Sequence, residues 1–171
     1  MAKKKEPSAA RPYALIYFND ALAFAAAKKS LEKYFDKSDY ETKPFSAEKA
    51  KFKEEVFTQA AIVSFQRPVG RDELVDMKMK TSAMEDKFKA SKKRVFLIDP
   101  GYVSQYNVIH TSDEDDFHRI YLYNGIFAET ILYFERLGFR PFAHTPSFYM
   151  EPPVITAFND IRIVHTSLLD I

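Results

Sequence analysis

Two apolar runs joined by Asn124-Gly125 constrain the fold of this chain more than any other part of its sequence. Residues 116–135 read DFHRIYLYNGIFAETILYFE. Asn-Gly between alternating apolar runs is the strongest short-range signal for a β-hairpin with a two-residue turn, because both turn residues must adopt positive φ angles. The sequence therefore predicts two antiparallel strands in which Tyr123 pairs with Ile126.

The register of this hairpin decides which ionisable residues can meet. Counting outward from the turn places Ile120 opposite Glu129, so His118 and Glu129 become diagonal neighbours on one face, roughly 7–8 Å apart along the ladder. Arg119 then projects from the opposite face. The His118–Glu129 pair fits two interpretations: a satisfied ion pair within an apolar core, or an acid–base pair whose pKa values are moved toward neutrality by apolar surroundings.

Strand and helix patterns alternate along the N-terminal half of the chain. Two strand–helix–strand units predict a mixed or antiparallel sheet with helices on one face, an α+β arrangement that echoes ferredoxin-like folds. A β-meander over 107–144 and a C-terminal helix over 152–169 follow. The elements predicted before the meander are strands 13–18, 39–45, 60–65 and 94–99 and helices 20–35, 46–57 and 72–89.

The composition is that of one folded domain. The chain has 171 residues, of which 46% are hydrophobic, and this length supports a single core. We expect a disordered leader over 1–12 and a single α+β domain over 13–171. The sequence has no cysteine, and its longest run of small apolar residues, 21–27, is too short to cross a bilayer, so we expect a cytoplasmic protein without a membrane partner. Because 25 Lys and Arg residues nearly balance 24 Asp and Glu residues, nucleic acid is a disfavoured partner.

A second candidate group is the carboxylate of Asp99. The motif IDPGYVS places it at the end of a predicted strand, and Pro100-Gly101 predict a turn that stops this strand. A carboxylate at such a strand end can serve as a ligand or a catalytic acid. In the alternative interpretation, Asp99 accepts local backbone N–H groups in an Asx turn, and Gly101 supplies a positive φ.

Three further polar residues follow one edge of the apolar stripe of the predicted helix 72–89. Lys78, Thr81 and Glu85 are spaced i, i+3 and i+7, which places them along the same side of the helix. They fit either the border of a binding site or an ordinary boundary between buried and solvated faces.

Common nucleotide and metal motifs are absent from the sequence. The four glycines are scattered, so the chain has neither a P-loop nor a Rossmann glycine motif. None of the four histidines forms an HxH or HxxxH pair, so no metal site is predicted, and a metal would have to be gathered across the fold from such groups as Asp99, His118 and Glu129. The cofactor is therefore unknown.

Four blocks carry a family resemblance: ELVDMKMKTSAMEDKF at 73–88, LIDPGYVS at 97–104, HRIYLYNGIFAETILYF at 118–134 and HTPSFY at 144–149. Together they resemble the domain-of-unknown-function family 4416 of bacteria and archaea, over nearly the whole chain after Pro12. The family brings no established activity. Some relatives are labelled GTP-binding, but this chain has no P-loop and no NKxD-type motif. The family's motif positions fall on Lys78, Thr81, Glu85, Asp99, Gly101, Tyr102, His118, Arg119 and Glu129.

These residues lead to two functional hypotheses. In the first, the chain binds a polar or anionic small molecule and could act on it, with Asp99, His118 and Glu129 as acid–base groups and Lys78 and Arg119 as anion anchors. The remaining binding residues in this hypothesis are Thr81, Glu85 and Tyr102. In the alternative, the chain is a non-catalytic interaction or homo-oligomeric module, and exposed aromatic residues of the meander contact a partner or form a homodimer.

Overall fold

A nine-stranded sheet and three helices make up the computed structural model, which describes residues 1–169 of the chain. The α+β class is therefore confirmed. The strands are β1 Arg11–Phe18, β2 Ser38–Glu41, β3 Phe45–Ser46, β4 Gln59–Phe65, β5 Phe96–Val103, β6 Asn107–Ser112, β7 Arg119–Tyr123, β8 Ile126–Glu135 and β9 Gly138–Pro141. The helices are α1 Ala21–Phe35, α2 Leu74–Lys87 and α3 Pro152–Leu169, and short 3-10 turns occur at Arg71–Glu73 and Ser147–Met150.

The N-terminal half of the sheet confirms the ferredoxin-like prediction. Its strand order is β2-β4-β1-β5, and each neighbouring pair is antiparallel. Helix α1 connects β1 to β2, helix α2 follows β4 and leads to β5, and both helices pack on the same face of the sheet. Of the two sheet types that the sequence left open, the antiparallel one is present.

The central strand β1 is buried on both faces, which explains its uninterrupted apolar run after Arg11. All eight of its residues are buried. Ile16 and Phe18 pack against α1 and α2, whereas Tyr13 and Leu15 face the opposite side, where α3 covers the sheet. A strand covered on both faces needs no alternation of polar and apolar residues.

The first strand begins inside the predicted leader. Pairing of β1 starts at Arg11, whose buried guanidinium donates hydrogen bonds to the carbonyl groups of Phe65 and Gln66 and pairs with Asp39 at 3.2 Å. Residues 1–9 are exposed. Ala10 also exchanges backbone hydrogen bonds with Val69, so the strand contacts extend three residues N-terminal to Tyr13.

The C-terminal half of the sheet continues in the order β5-β6-β8-β7, with β9 paired to β8. The strands predicted for the meander are present, but β6 pairs with β8 and not with β7, so their order is not that of a simple meander. Strand β7 therefore forms the edge of the sheet. The predicted C-terminal helix α3 is present and packs on the face opposite α1 and α2. Within residues 1–169, no helix combines the length and the apolar character needed to cross a membrane.

The helix predicted over 46–57 is wrong. This segment forms turns after the short strand β3. Its aromatic side chains Phe52 and Phe57 pack into the core on the α3 face, and the Glu55 carboxylate accepts hydrogen bonds from the backbone and guanidinium of Arg94 at 2.9–3.1 Å. These tertiary contacts outweigh the weak helix propensity of a short charged segment.

The turn predicted at Pro100-Gly101 is also wrong, because β5 runs through both residues. Pairing with β1 continues there, and Tyr13 lies opposite Gly101. Strand β6 pairs only with residues 101–103 of β5, so the missing N–H of Pro100 falls where β5 has no second neighbour. Gly101 does not adopt a positive φ. Its role is steric, since a Cβ at this position would overlap the phenol of Tyr13 and the carbonyl oxygen of Ile109.

Candidate functional site

The hairpin turn at Asn124-Gly125 is present, but the register beyond it differs from the predicted one. Both turn residues have positive φ angles, 55° and 71°, and the first ladder pair is the predicted one. The next ladder pair joins Tyr121 to Phe127, so Leu122 is an extra residue on β7 and forms a β-bulge. Every residue of β7 that precedes the bulge is shifted by one position.

This bulge moves Arg119 to the same face as Glu129. Arg119, and not Ile120, lies directly opposite Glu129 in the ladder. The prediction that Arg119 projects from the opposite face is therefore wrong, because a one-residue shift in register exchanges the two faces of a strand. His118 lies one residue before β7 and reaches the same carboxylate from the preceding turn, so the predicted His118–Glu129 contact is present.

A second bulge brings His110 to Glu129 from the other side. The register between β6 and β8 shifts between Val108 and Ile109, and Ile131 is the extra residue on β8. After this shift, His110 lies directly opposite Glu129. A β-bulge therefore lies in the pairing on each side of Glu129. Each bulge directs a basic side chain, Arg119 or His110, toward the Glu129 carboxylate.

The loop after β9 satisfies the carbonyl groups beside the second bulge. Thr145 Oγ1 donates a hydrogen bond of 2.7 Å to the carbonyl oxygen of Ile131, and His144 Nε2 lies 3.0 Å from that of Thr130. Because a carbonyl oxygen can only accept, we assign the proton of His144 to Nε2, which leaves a lone pair on Nδ1. This loop is thereby fixed next to Glu129.

Glu129 is the centre of a hydrogen-bonded cluster, although it is only 2% exposed. Its Oε1 lies 2.6 Å from Nε2 of His118, and its Oε2 lies 2.7 Å from Nε2 of His110 and 3.2 Å from Nε of Arg119. All three partners can donate an N–H group, and hydrogen bonds to an ionised carboxylate are among the strongest in proteins. We name these four residues the Glu129 cluster.

The three donors decide the protonation state of Glu129. Burial raises the pKa of Glu129, but the hydrogen bond from His110 and the electrostatic attraction of the basic groups of His110, Arg119 and His118 outweigh burial and lower the pKa to about 2. The carboxylate is therefore ionised at neutral pH, despite its position within the sheet.

His110 connects the Glu129 cluster to a buried tyrosine. Because Nε2 of His110 donates to Glu129, the neutral ring accepts at Nδ1, where the hydroxyl of Tyr149 lies 3.2 Å away. Burial raises the pKa of Tyr149 well above its ordinary value, so the phenol keeps its proton. A hydrogen-bonded chain thus leads from Tyr149 in the core through His110 and Glu129 to His118.

Aromatic rings form one wall of the cluster. His118 stacks on His144 with ring centroids 4.2 Å apart and planes at 21°, and His144 stacks in turn on Phe142 at 4.9 Å. Phe117 contacts His118 edge-on at 4.7 Å. The second ring nitrogen of His118, Nδ1, has no hydrogen-bond partner, and a carboxylate oxygen of Asp116 lies 3.9 Å from it.

Several other predicted residues form a polar seam between α2 and β5. Asp99 of this seam is close enough to Tyr149 that its charge, after burial, adds to the raised pKa of that phenol. Lys78 Nζ lies 3.9 Å from a carboxylate oxygen of Asp99. Glu85 is buried, accepts the backbone N–H of Ile98 at 2.8 Å and lies 3.4 Å from the guanidinium of Arg94. Burial raises the pKa of Glu85, and its few hydrogen-bonding and charged partners do not overcome this effect. The seam attaches α2 to the part of β5 that lacks a β6 neighbour.

Thr81 and Tyr102 also lie apart from the cluster. Thr81 is fully buried, and its hydroxyl donates to the carbonyl oxygen of Lys78 within the helix at 3.1 Å. Tyr102 packs against the core on the α1 and α2 face, and burial raises its pKa. Of the predicted site residues, the structure brings together His118, Arg119 and Glu129.

The rim of the Glu129 cluster is partly exposed. Clefts of about 260 and 360 Å³ occur elsewhere on the described surface, one beside Glu85 and the other beside Phe52. The side chains of His118 and Arg119 are 10% and 18% exposed. His110 is 11% exposed as well, so a ligand at the rim would meet His110, His118 and Arg119, whereas Glu129 is almost fully buried.

Sequence reasoning missed His110, His144 and Tyr149. His144 and Tyr149 lie in the HTPSFY block that carried the family resemblance, and His110 interrupts a predicted apolar strand. These positions in the sequence were the signal that could have identified the three residues as part of the cluster. Their approach to Glu129 depends on the pairing of β6 with β8 and on a long loop contact, neither of which leaves a local pattern in the sequence.

The fold and the cluster together define the class of this protein: an α+β domain with a ferredoxin-like half-sheet and a buried carboxylate that binds two imidazoles. A family model described as Domain of unknown function (DUF4416) matches residues 8–165. The chain belongs to this family, as its sequence blocks predicted. No curated protein and no solved structure matches the chain.

Proposed function

We propose that the Glu129 cluster binds a polar or anionic small molecule and exchanges a proton with it. The observation that carries this proposal is one buried, ionised carboxylate held by two imidazoles and a guanidinium at 2.6, 2.7 and 3.2 Å. A buried carboxylate needs several donors for its lone pairs, but two of the three donors here are imidazoles, the side chains used most often for general acid–base catalysis. Clusters of coupled ionisable groups with strongly shifted pKa values are typical of functional sites.

His118 is the proposed proton-transfer group. Glu129 accepts from its Nε2–H, which orients the ring and leaves the Nδ1 lone pair to act as a base. The carboxylate would also stabilise the imidazolium that forms when His118 takes up a proton. Phe117 packs edge-on against His118 but is 88% exposed, so it can move aside without loss of core packing.

Arg119 is the proposed anion anchor. Its Nε donates to Glu129, and one terminal nitrogen donates to the carbonyl oxygen of Glu114 at 3.0 Å. A guanidinium carries five N–H donors in a planar fork, so donors remain for a carboxylate or phosphate oxygen of a ligand. Lys78 lies 3.9 Å from Asp99, and neither residue is hydrogen-bonded to the Glu129 cluster within residues 1–169, so we assign the anion-anchor role to Arg119.

A thermal-shift screen of phosphorylated metabolites, nucleotides and small carboxylic acids tests this function. A ligand present at 100 times its Kd stabilises the folded state by about 2.7 kcal/mol, which raises the Tm of a domain of this size by about 5–11 °C. We expect such a shift in the wild type and its loss in His118→Asn. The matched control is Glu135→Gln, which replaces an exposed carboxylate on the same strand β8.

The outcome for His118→Asn decides the location of the site. If a ligand stabilises the wild type and His118→Asn equally, it binds elsewhere and the proposed function is wrong. If no compound of these classes stabilises the wild type while the control experiments work, the proposed function is wrong as well.

Self-association through β7 is a second candidate function, favoured by a specific observation. Strand β7 is an edge of the sheet, and the side chains of Phe117, Ile120, Tyr121 and Tyr123 are 46–88% exposed along it. An apolar edge strand offers unpaired backbone groups to a second copy of the chain. Sedimentation velocity on the wild type and on Ile120→Lys tests this candidate, with Leu137→Lys as the control at an exposed aliphatic residue outside β7. A monomeric wild type at tens of micromolar concentration would exclude it.

A further inference from the structure

We propose that His118, Glu129 and His144 form a binding site for a divalent transition metal ion, with Zn²⁺ as the best fit. One nitrogen of each histidine and one carboxylate oxygen of Glu129 lie within 4.8 Å of one another. Two imidazoles and a carboxylate are a ligand set that suits Zn²⁺ better than Mg²⁺ or Ca²⁺, which prefer oxygen alone. Three protein ligands leave a fourth position open to water or to a ligand.

The hydrogen bonds around these residues support this assignment independently of the distances. Ligating histidines usually donate their other ring N–H to a carbonyl or carboxylate, which fixes the ring and its tautomer. His144 already donates Nε2–H to the carbonyl oxygen of Thr130, so its Nδ1 lone pair is available to an ion. Oε2 of Glu129 is held by His110 and Arg119, which leaves Oε1 as its ligand atom.

The unpartnered nitrogen of His118 completes the pattern. Nδ1 of His118 has no hydrogen-bond partner although its side chain is 90% buried, and Asp116 lies 3.9 Å from it. If the ring proton moves through solvent from Nε2 to Nδ1, His118 stays neutral, donates to Asp116 and offers Nε2 to the ion. All three ligands then have an outer hydrogen-bond partner of the usual kind.

The movement that binding requires is small. Nε2 of His118 and Oε1 of Glu129 are 2.6 Å apart, whereas two ligands of a tetrahedral Zn²⁺ at about 2.0–2.1 Å from the ion are roughly 3.3 Å apart. The stacked rings of His118 and His144 must also tilt, because planes at 21° do not direct both lone pairs to one point. Both residues lie outside the strands, in a turn and a loop, so their side chains can adjust without disturbing the sheet.

This inference rests on the proposed function and deepens its anion-binding part, while the role of His118 changes: with an ion bound, His118 is a ligand and no longer the base. An ion at Oε1 of Glu129 would place an open coordination position beside Arg119, and a metal ion next to a guanidinium is suited to an anionic ligand. The His110–Tyr149 arm does not take part in the ligand set and keeps its hydrogen bonds to Oε2 of Glu129.

Titration with Zn²⁺ by calorimetry and with Co²⁺ by visible absorption tests the site on the full chain. We expect one ion per chain and the intense visible bands of four-coordinate Co²⁺. His144→Phe, which keeps a ring stacked on Phe142, should weaken the affinity at least 100-fold because it removes one of three ligands. Asp116→Asn, at an exposed residue, should weaken it about 10-fold if Asp116 is the outer partner of His118. Glu135→Gln is the control and should bind as the wild type does.

Each result either supports the metal site or overturns it. Wild type that takes up no Co²⁺, or His144→Phe that binds as tightly as wild type while both melt cooperatively, overturns the inference. The proposed function can be tested separately from the metal site, because His144 is not part of the proposed acid–base machinery. A metabolite that stabilises metal-free wild type and His144→Phe alike supports the proposed function even if no metal binds. Co²⁺ binding lost in His144→Phe, with no metabolite found, supports the metal site alone.

Discussion

Replacement of Glu129 by glutamine should destabilise the fold at neutral pH by about 3 kcal/mol. The carboxylate accepts hydrogen bonds from three positively charged or polar donors in a site that excludes water. Glutamine has nearly the same shape, but it offers one acceptor oxygen and turns an NH₂ group toward donors that it cannot satisfy. The substitution therefore removes the charge and the acceptor while it leaves the packing intact.

The magnitude of this destabilisation follows from the pKa of Glu129. The pKa falls from 4.5 to about 2, and each unit corresponds to about 1.36 kcal/mol of preference for the ionised form, so the total is about 3 kcal/mol. Removal of one partner from a buried ion pair costs about 3–5 kcal/mol in other proteins, which agrees with this value. For a domain of this size, the Tm should fall by about 6–12 °C.

The stabilisation that ionised Glu129 provides depends on pH in a defined direction. Because the folded state holds Glu129 at a lower pKa than the unfolded state does, the stabilisation is fully present above about pH 5 and is lost as the pH falls through about 2. The variant has no carboxyl group to titrate at this position, so it does not share this loss. The free energies of unfolding of wild type and variant should therefore converge in acid.

Urea denaturation followed by circular dichroism, at pH 7 and at steps down to pH 3, measures this difference. Glu135→Gln on the exposed end of the same strand is the control and should lie within about 0.5 kcal/mol of wild type throughout. If Glu129→Gln is as stable as wild type at pH 7, or if its deficit does not shrink with acid, Glu129 is not the ionised centre of the cluster.

Three further substitutions test other parts of the structure by the same urea titration. Glu85→Gln should change stability by less than about 1 kcal/mol at pH 7, because burial raises the pKa of Glu85 and the folded state gains little from its charge. Burial and nearby arginines lower the pKa of His165 to about 4, so wild type should lose stability between about pH 6.5 and 4, and His165→Leu should lose much less over this range. Gly101→Ala should cost about 1–3 kcal/mol because its Cβ overlaps the phenol of Tyr13, whereas Gly138→Ala, which meets only a side chain at 3.5 Å, should be nearly neutral.

The hairpin shows which structural features local sequence patterns can predict and which they cannot. Asn124-Gly125 identified the turn correctly, because only residues that tolerate positive φ fit a two-residue hairpin loop. The register two residues further on could not be predicted, since Leu122 is an apolar residue in an apolar strand and nothing marks it as a bulge. That single residue decides whether Arg119 contacts Glu129, so the composition of the cluster depends on packing and not on periodicity.

Pairing between segments that are distant in the sequence explains why the other contacts of the cluster could not be predicted. The ferredoxin-like half was predictable because each strand–helix–strand unit has its own local pattern. The approach of His110 to Glu129 requires β8 to lie between β6 and β7, and the approach of His144 requires a loop to satisfy carbonyl groups that a bulge exposes. Both are contacts between distant segments that fold together only in the complete sheet.

The two buried glutamates of this fold differ in the groups that surround them. Glu85 lies on the buried side of helix α2, Glu129 lies in the largely apolar strand β8, and both accept hydrogen bonds. The groups around Glu85 serve structure: the backbone N–H of Ile98 has no strand partner, and burial still raises the pKa of Glu85. Around Glu129 two of the three donors are imidazoles, and Nδ1 of His118 is buried without a hydrogen-bond partner among the described residues. This difference, more than burial or charge alone, is why we propose a ligand at Glu129 and not at Glu85.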